Sequence, residues 1–408
     1  MPNYLTALDV GSSNIKAIVA EEKKDGRLSV VGVIKQPSAG FRKGKLVDID
    51  EAVDALRQVF ADLRSISKRA TENIYLNVNG SNIKSHLSRG VAAVARVDNE
   101  IRQDDIHRAL QSSQALNLPP NHLILHNVTR EFFIDDIGDI IDPLGMSGSR
   151  LEVSSLIISA FSPLVDGLVR CVEKAGGSVG ALIFNPLAAS RSVLTKHQKN
   201  LGTALIDIGF GTTTLAVYEE NKVLHAASFP VGSGHITNDL AIGLKTSTAI
   251  AEEVKLRYGF ALAKNISKRD MVGVQELDDS IDKEISKKFL SEIIEVRLAE
   301  ILELVNDELK LINRDARLPA GIVVTGGGAK LAGLIELAKQ ELELAIQVGV
   351  PDTNAFEIDN ANYKEMLLDP EFGVATGLLL WATEGGSKPA QSAKMFGGMV
   401  KFLKNLKP

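Results

Sequence analysis

Leu-Asp-Val-Gly-Ser-Ser-Asn-Ile-Lys, from Leu8 to Lys16, and Ile-Asp-Ile-Gly-Phe-Gly-Thr-Thr-Thr, from Ile206 to Thr214, are two versions of one pattern. In each, an apolar run ends at an aspartate, a glycine turn with small polar residues follows, and a second apolar run begins. This order predicts a tight β-hairpin whose turn brings backbone N–H groups towards phosphate oxygens while the aspartate faces a metal ion. Either stretch alone would more often be an ordinary hairpin, but the repetition favours a ligand between two related halves.

The segments around the two hairpins are repeated as well. The predicted strands fall in the same order in both halves, at residues 5–10, 15–20 and 28–34 and again at 204–208, 215–218 and 223–229. Residues 84–162 have the pattern of an inserted module with several strands and one helix, and long helical segments are predicted at 239–263 and 281–311. The sequence therefore predicts an α/β protein of two duplicated domains with an inserted α+β subdomain.

A third glycine-rich loop, Thr325-Gly326-Gly327-Gly328-Ala329-Lys330, follows an apolar strand and opens a helix. Its glycines let a nucleotide come close to the backbone and to the positive end of the helix. The spacing is neither that of the P-loop, which needs Gly-Lys-Ser/Thr after a four-residue gap, nor the dinucleotide pattern Gly-x-Gly-x-x-Gly. Together with the two hairpins, the loop predicts a nucleotide clamped between the two halves.

The residue types at these three places suit a nucleotide with its metal ion. Asp9 and Asp207 end apolar strands, where a carboxylate is costly, and we expect them to hold Mg²⁺ through water molecules. Backbone N–H groups and hydroxyls of the turns would donate to the β- and γ-phosphates, and Lys16 would add a positive charge. The turn residues are Gly11, Ser12, Ser13, Asn14, Gly209, Gly211, Thr212 and Thr213, and the third loop adds Gly326, Gly327, Gly328 and Lys330.

Glu252 and Lys255 lie three residues apart on one face of a predicted helix. With the other motifs present, we expect this pair to contact the ribose and base of adenosine. Without those motifs, an exposed charge pair would be the simpler interpretation.

Composition restricts the class of protein. The chain has 408 residues, of which 45% are hydrophobic and 24% charged, as in globular proteins of more than one domain. A net charge of −5 leaves no basic excess to neutralise phosphates, so we expect no nucleic acid partner. Cys171 is the one cysteine, which excludes an internal disulfide and suits a reducing compartment. No apolar run approaches the ~20 residues that a membrane-spanning helix needs.

The last residues differ in composition from the rest. Residues 385–393 predict a flexible linker, and residues 394–408 predict an amphipathic helix. Its apolar face and its lysines favour an anionic lipid surface over the alternative, a helix docked on its own domain. The residues expected at the membrane are Met395, Phe396, Met399, Val400, Lys401, Phe402, Leu403, Lys404, Leu406 and Lys407.

From Leu5 to Trp381 the chain resembles the superfamily of actin, heat-shock chaperone and sugar-kinase ATPases. These proteins have two phosphate motifs, here the two hairpins, and an adenosine motif, here the third glycine loop, in the same order. It resembles the FtsA family of bacterial actin-like cell-division proteins more closely. Four features carry this likeness: the second hairpin, the inserted module after Asn79-Gly80-Ser81, the segment from His235 to Asp239, and the basic C-terminus.

The resemblance implies the actin-like ATPase fold, built from two ribonuclease-H-like α/β domains. The inserted subdomain, 1C, would take the place of the 1B subdomain of actin, and the end of the chain would pack back on subdomain 1A. The expected bounds are 1–83 and 163–197 for 1A, 84–162 for 1C, 198–229 and 320–384 for subdomain 2A, and 230–319 for subdomain 2B.

The resemblance also implies a function. Such a protein binds ATP and Mg²⁺, polymerises on the cytoplasmic face of the inner membrane at the division site, anchors the tubulin-like FtsZ ring there and recruits later division proteins. In the family, the helix matching the one with Arg297 helps to receive the acidic FtsZ tail. Arg297 is therefore a candidate contact, and Lys287 and Lys288 are weaker ones.

One position departs from the superfamily pattern. Where chaperones and bacterial actins have a glutamate before a proline, this chain has Asn185 before Pro186. An amide can position a water molecule but cannot take its proton, so we expect weak or negligible ATP hydrolysis.

Two other classes share the phosphate hairpins. A soluble sugar or acetate kinase would need a substrate pocket with a catalytic base and would have no use for a lipid-binding tail. A chaperone ATPase would need a substrate-binding domain, and we expect none because little sequence follows the predicted nucleotide domain. The kinase is the leading alternative.

Overall fold

The computed structural model describes residues 3–273 and 284–385. The strands in this part are β1 (Asn3–Val10), β2 (Asn14–Glu22), β3 (Leu28–Pro37), β4 (Phe41–Arg42), β5 (Lys45–Leu46), β6 (Ile74–Val78), β7 (Lys84–Ala93), β8 (His122–Ile134), β9 (Ile137–Ile140), β10 (Arg150–Phe161), β11 (Val179–Phe184), β12 (Thr203–Ile208), β13 (Thr213–Glu219), β14 (Lys222–Phe229), β15 (Met271–Gly273), β16 (Glu284–Ser286), β17 (Ile322–Thr325), β18 (Ile346–Val348) and β19 (Phe356–Glu357). The α-helices are α1 (Ile49–Ile66), α2 (Gln103–Ser113), α3 (Ser162–Lys174), α4 (Asn185–Val193), α5 (Lys196–Leu201), α6 (Ser233–Leu244), α7 (Thr248–Tyr258), α8 (Lys287–Leu311), α9 (Leu334–Leu342), α10 (Ala361–Leu367) and α11 (Gly373–Gly385).

Two central sheets repeat one topology. The first has the strand order β11-β6-β1-β2-β3-β19, and the second has the order β14-β13-β12-β17-β18. In each sheet three strands form an antiparallel meander, and the first strand of the meander also pairs in parallel with a later one. The parallel partner is β6 beside β1 in the first sheet and β17 beside β12 in the second. The duplicated α/β architecture predicted from the sequence is confirmed.

The strands that carry the two aspartates lie deep in their sheets. Every residue of β12 is buried, and so are the consecutive residues from Leu5 to Asp9 of β1. Strands covered on both faces have continuous apolar runs instead of alternating ones, which is why these segments look alike in the sequence. α1 covers one face of the first sheet with Leu56, Phe60 and Leu63, and the Asp48 carboxylate caps its N-terminus.

The inserted module forms a separate antiparallel sheet with the order β7-β10-β8-β9, which α2 covers. It follows β6 in the chain and ends where α3 begins. The module also contacts the second half at β14: the Ser85 hydroxyl donates to the Ala226 carbonyl oxygen at 2.7 Å, and Lys222 Nζ lies 3.2 Å from an Asp139 carboxylate oxygen. The insert is thus held at both halves of the molecule.

The second half carries a helical lobe of α6, α7 and α8. The prediction of one helical segment over residues 239–263 is wrong, since α6 ends at Leu244 and α7 begins at Thr248. Lys245 has a left-handed backbone conformation (φ 55°, ψ 44°), and the Ser247 hydroxyl accepts a hydrogen bond from the Ile250 N–H. The residues between the helices therefore end α6 and cap α7. Such hydrogen bonds between a side chain and the backbone interrupt a helix without changing the apolar periodicity of the sequence.

The last described helix, α11, packs on α4 and beside β1. A Cβ atom at Gly377 would lie 1.9 Å from the Ala188 carbonyl oxygen, so only glycine permits this close approach. No helix within residues 3–273 and 284–385 has the length and apolarity to cross a membrane. The predicted membrane helix at 394–408, and residues 386–393 of the predicted linker, lie outside the described residues. The subdomain bounds drawn from the resemblance stay a prediction.

Candidate functional site

A cleft of about 610 Å³ is lined by residues of both halves. The turns of both hairpins, the third glycine loop and α7 meet there, and towards α3 the lining becomes apolar. All the residues predicted to contact a nucleotide or its metal ion line this cleft except Thr213. Those that do are Asp9, Gly11, Ser12, Ser13, Asn14, Lys16, Asn185, Asp207, Gly209, Gly211, Thr212, Glu252, Lys255, Gly326, Gly327, Gly328 and Lys330.

Thr213 is not among the residues that line the cleft. Its side chain is buried within the second half, and its hydroxyl donates a hydrogen bond to the Val231 carbonyl oxygen at 2.8 Å. Side chains alternate between the two faces of a strand, so its neighbour Thr212 can line the cleft while Thr213 faces the other way.

The first hairpin closes its turn with a hydrogen bond from the Gly11 N–H to the Asn14 carbonyl oxygen at 3.1 Å. Asp9 lies opposite Lys16 in the β1–β2 register, and Lys16 Nζ donates to one Asp9 oxygen at 2.8 Å. The other Asp9 oxygen accepts from Asn77 Nδ2 at 2.8 Å. The Asp9 carboxylate is therefore buried with a cation and an amide as partners.

Lys16 is the main positive charge beside the first hairpin. Its Nζ also donates to the Glu371 carbonyl oxygen at 2.8 Å. Burial by itself would lower the pKa of Lys16, but the negative charges of Asp9, Glu371 and Asp207 outweigh it and raise the pKa above its ordinary value. Lys16 is thus a fixed cation at the wall of the cleft.

The second hairpin has the same turn, closed by a hydrogen bond from the Gly209 N–H to the Thr212 carbonyl oxygen at 2.9 Å. Its aspartate, Asp207, is 8% exposed and lies opposite Thr214 in the β12–β13 register. No residue that the structure describes forms a hydrogen bond or salt bridge with the Asp207 carboxylate. Burial and the nearby charge of Asp9 raise the pKa of Asp207 to about 6, and Lys16 offsets only part of this rise.

The two carboxylates fit a hydrated Mg²⁺ ion better than a bare one. Asp207 lines the cleft and has no partner in the described ranges 3–273 and 284–385, which leaves its oxygens available to a cation or to water around it. In the part of the chain that the structure describes, no group of three or more His, Cys, Asp or Glu side chains is placed to hold a metal. A Mg²⁺ ion here would take its remaining ligands from water and phosphate, as Mg²⁺ usually does in nucleotide sites.

The third loop packs directly against the second hairpin. Gly326 has φ 84° and ψ 173°, and a Cβ atom there would lie 2.2 Å from Asp207 Oδ1. Gly327 opens the short 3-10 helix Gly327–Lys330, and a Cβ there would meet nothing within 4 Å. Lys330 Nζ lies 2.8 Å from an Asp369 oxygen, so its charge is already paired with a carboxylate that is not among the cleft-lining residues.

Glu252 and Lys255 form a partly enclosed pair on α7. Lys255 is 5% exposed, and its Nζ lies 2.6 Å from a Glu252 oxygen and 2.9 Å from the Thr237 hydroxyl, which is also hydrogen-bonded to Glu252. Burial lowers the pKa of Lys255 despite the opposing charge of Glu252. The pair is not the solvated charge pair that helical spacing alone suggests, and it borders the cleft.

Asn185 begins α4 at the base of the cleft and is almost fully buried. Its Oδ1 accepts from Asn77 Nδ2 at 3.1 Å, and Asn77 Oδ1 in turn accepts from the Val10 N–H at 2.7 Å. Asn77 therefore connects Asn185 to Asp9 and to the first hairpin. An amide at position 185 supplies no general base.

Seven polar residues of the cleft carried no predicted role: Lys35, Asn77, Asn79, Asn82, Ser233, Arg257 and Glu371. Lys35 Nζ lies 2.5 Å from a Glu371 oxygen. Asn77 and Asn79 come at and just after the carboxyl end of β6, beside β1. Polar residues at the carboxyl ends of neighbouring parallel strands are a known signal for ligand sites, and this signal could have identified both asparagines.

Arg297, the candidate partner contact, lies on α8 and does not line the cleft. Its Nε and Nη2 donate to the two Asp239 carboxylate oxygens at 2.6 and 3.1 Å, and its Nη1 donates to Glu300 at 2.6 Å. The hydrogen bonds to Asp239 raise the pKa of Arg297. Any acidic partner at this position must compete with two carboxylates of the chain itself.

Residues 204–377 match the family model described as cell division protein FtsA, and residues 80–159 match the model of the SHS2 domain inserted in FtsA. The cell division protein FtsA of Bacillus subtilis is 35% identical over 92% of this chain and 82% of the relative. That of Pseudomonas aeruginosa is 33% identical over 93% and 89%, and that of Escherichia coli K12 is 28% identical over 93% and 90%.

Solved structures agree with the predicted fold class. A chain of the PilM–PilN type IV pilus biogenesis complex has a TM-score of 0.66 at 17% identity and covers 93% of this chain and 98% of its own length. MreB5 of Spiroplasma citri bound to ADP has a TM-score of 0.53 at 14% identity, with coverage of 93% and 96%. Likeness at these identities shows the fold, which is that of the actin-like ATPases.

Proposed function

Because this chain belongs to the FtsA family of cell-division proteins, we propose that it is an ATP-binding actin-like protein that polymerises at the division site. In this proposal it lies on the cytoplasmic face of the inner membrane, anchors the FtsZ ring through its C-terminal amphipathic helix and recruits later division proteins. The family membership supports the role in division. The nucleotide, membrane and partner roles have separate support and separate tests.

One observation carries the nucleotide part of the proposal. Two hairpin turns and a glycine loop, far apart in the sequence, line one cleft together with the buried carboxylates of Asp9 and Asp207. Backbone N–H groups of tight turns and small hydroxylated residues are the donors that phosphate groups require. A related fold, MreB5 of Spiroplasma citri, has been solved with ADP and with AMPPNP, which is consistent with a nucleotide in this cleft.

In the proposed complex, Mg²⁺ would neutralise phosphate charge. Asp9 and Asp207 would orient water molecules around the ion, and Lys16 would stabilise the phosphates as a fixed cation. Asn185 would hold a water molecule without accepting its proton. We therefore propose that ATP acts mainly by joining the two halves and favouring the polymer, with slow hydrolysis.

Nucleotide binding is tested by titration calorimetry with MgATP on the wild type and on Asp207→Asn. The substitution removes the carboxylate that would orient water around Mg²⁺, and we expect the affinity to fall by about tenfold or more. Asp54→Asn, which neutralises an exposed carboxylate on α1, is the matched control and should bind like the wild type. Equal binding by all three proteins would contradict the proposed metal role.

The membrane part rests on the sequence of residues 394–408. Each lysine close to an anionic surface contributes about 1 kcal/mol, and the apolar face adds to this. One such helix binds reversibly, whereas a filament that presents many of them binds tightly through avidity. ATP, polymer and membrane are linked in this way.

The test is co-sedimentation with anionic liposomes, comparing the full chain with one that ends at Gly386, with and without MgATP. We expect only the full chain to pellet, most strongly with MgATP, and we expect electron microscopy to show filaments on the liposomes. If the truncated chain binds equally well, the membrane role is wrong. ATP consumption stimulated by a small sugar would instead support a soluble kinase.

The FtsZ contact proposed for Arg297 is tested with a peptide of the acidic FtsZ tail. Arg297→Ala should weaken binding about fivefold, since a charge-assisted hydrogen bond is lost. Asp239→Asn should strengthen it, because Asp239 competes for the same guanidinium. An unchanged affinity in both variants would exclude Arg297 from the contact.

A further inference from the structure

Asn79 joins the two halves of the molecule at the cleft. It follows β6 in the first half, and its Nδ2 donates to the Thr212 hydroxyl of the second hairpin at 2.7 Å. Its Oδ1 accepts from the Gly80 N–H at 2.8 Å and from the Ser228 hydroxyl of β14 at 2.8 Å. Asn79 and Thr212 both line the cleft.

The orientation of the Asn79 amide follows from chemistry. A backbone N–H can only donate a hydrogen bond, so the group that faces the Gly80 N–H must be the oxygen. The amide nitrogen then faces Thr212, and an NH₂ group can only donate. The Thr212 oxygen is therefore the acceptor of this hydrogen bond.

This direction leaves the Thr212 hydrogen available. A hydroxyl has one hydrogen, and no residue that the structure describes accepts a hydrogen bond from Thr212 Oγ1. The side chain is 8% exposed and borders the cleft, so its hydrogen is available to a ligand there. A hydroxyl held in this way can donate its hydrogen to an anionic oxygen.

We propose that Asn79 is a positioning residue for phosphate recognition: it orients the Thr212 hydroxyl as a donor to the terminal phosphate of a nucleoside triphosphate. The inference rests on the proposed nucleotide function and deepens it. Because Asn79 belongs to the first half and Thr212 and Ser228 to the second, this orientation exists only while the two halves are in contact. Phosphate recognition and closure of the cleft thus depend on one side chain.

The sharpest test is Asn79→Asp, which keeps the shape of the side chain. The new carboxylate still accepts from the Gly80 N–H and from Ser228, but it forces the Thr212 hydroxyl to donate to it. The hydroxyl then presents only lone pairs to the phosphate, and a negative charge is added. We expect the affinity for MgATP to fall by about 30-fold and that for MgADP to fall by less.

A double-mutant cycle with Thr212→Val separates positioning from charge. With Asn79 present, Thr212→Val should weaken MgATP binding about tenfold, because a donor to a charged group is lost. In the Asn79→Asp background, Thr212→Val should lower the affinity for MgATP by less than about twofold, since the hydroxyl no longer donates to the phosphate. Ser228→Ala keeps the Asn79–Thr212 bond and should cost less than about threefold.

The outcomes are distinct. If Thr212→Val costs the same in both backgrounds, Asn79 does not act through Thr212 and the inference is overturned. If Asn79→Asp lowers the unfolding midpoint of the nucleotide-free protein but leaves the preference for MgATP over MgADP unchanged, the role is structural and the inference again fails. If the wild type binds neither nucleotide, the proposed function fails first and this inference with it.

Discussion

The two hairpins have the same turn and the same register, yet their aspartates differ in electrostatic environment. Asp9 lies opposite Lys16, and Asp207 at the equivalent position lies opposite Thr214. Asp9 has a cation and the amide of Asn77 as partners, while Asp207 has no partner among the residues that the structure describes, and its pKa is raised to about 6. Both aspartates line the cleft, but Asp9 already has two partners within the protein, so a bound cation would change the environment of Asp207 more than that of Asp9.

The neighbouring parallel strands add to this difference. Asn77 of β6 donates to Asp9, whereas Thr325 of β17, which pairs with Asp207 in register, shares its one hydroxyl hydrogen between the Gly349 and Pro370 carbonyl oxygens. A duplicated backbone can therefore hold two unlike carboxylates. The charge and the hydrogen-bond partners around each aspartate depend on the residue opposite it in the hairpin and on the residue beside it in the parallel strand.

The largest effect is expected from Lys16→Met. It removes the cation from a buried pair and leaves the Asp9 charge uncompensated, so the free energy of unfolding should fall by about 4 kcal/mol. Urea denaturation without nucleotide measures this. Adding Asp9→Asn should recover part of the loss because the stranded charge is removed, and no recovery would mean that Lys16 acts through packing alone.

The next effect concerns the pH dependence at Asp207. Its pKa is about 6 in the folded protein against 3.8 ordinarily, so the folded state keeps a proton that the unfolded state has released, and stability falls as pH rises between these values. Asp207→Asn should remove this fall and raise the free energy of unfolding at pH 7 by about 3 kcal/mol. Denaturation curves from pH 4 to pH 7 without nucleotide test this, and parallel curves for both proteins would contradict it.

A smaller effect on unfolding free energy is expected in the third loop, where two adjacent glycines should differ in their tolerance of alanine. Gly326→Ala places a methyl group against Asp207 in a backbone conformation that only glycine adopts easily, and it should cost about 2 kcal/mol of unfolding free energy. Gly327→Ala meets open space and should change stability by less than about 0.5 kcal/mol. Equal costs for the two variants would show that the loop is not packed on the second hairpin.

The smallest effect is expected at Thr214, the counterpart of Lys16. Its hydroxyl is buried without a hydrogen-bond partner among the described residues. Thr214→Val keeps the shape and removes the unsatisfied oxygen, which should stabilise the protein by about 1 kcal/mol in thermal unfolding. A clear destabilisation would mean that the hydroxyl has a partner, such as bound water.

Much of the site could be predicted from local sequence. The acid–glycine turns and the third loop are local patterns, and the structure brings them to one cleft. The break at Lys245 was not predicted, because apolar periodicity continues across the three polar residues Lys245, Thr246 and Ser247, of which Ser247 caps α7. Glu371 was not predicted either, since it lies on the 3-10 helix Pro370–Phe372 with no motif around it.

The sequence by itself determined the duplicated hairpins, the inserted module and the family, because each depends on short patterns of apolar runs, acids and glycines. Only the tertiary structure decided that Lys16 and Asn77 donate hydrogen bonds to Asp9, that Asp207 has no partner among the described residues, and that Asn79 reaches Thr212. These contacts join residues whose proximity depends on strand pairing and on contact between the two halves. Charge and hydrogen-bond direction act over a few ångströms in space, whatever the separation along the chain.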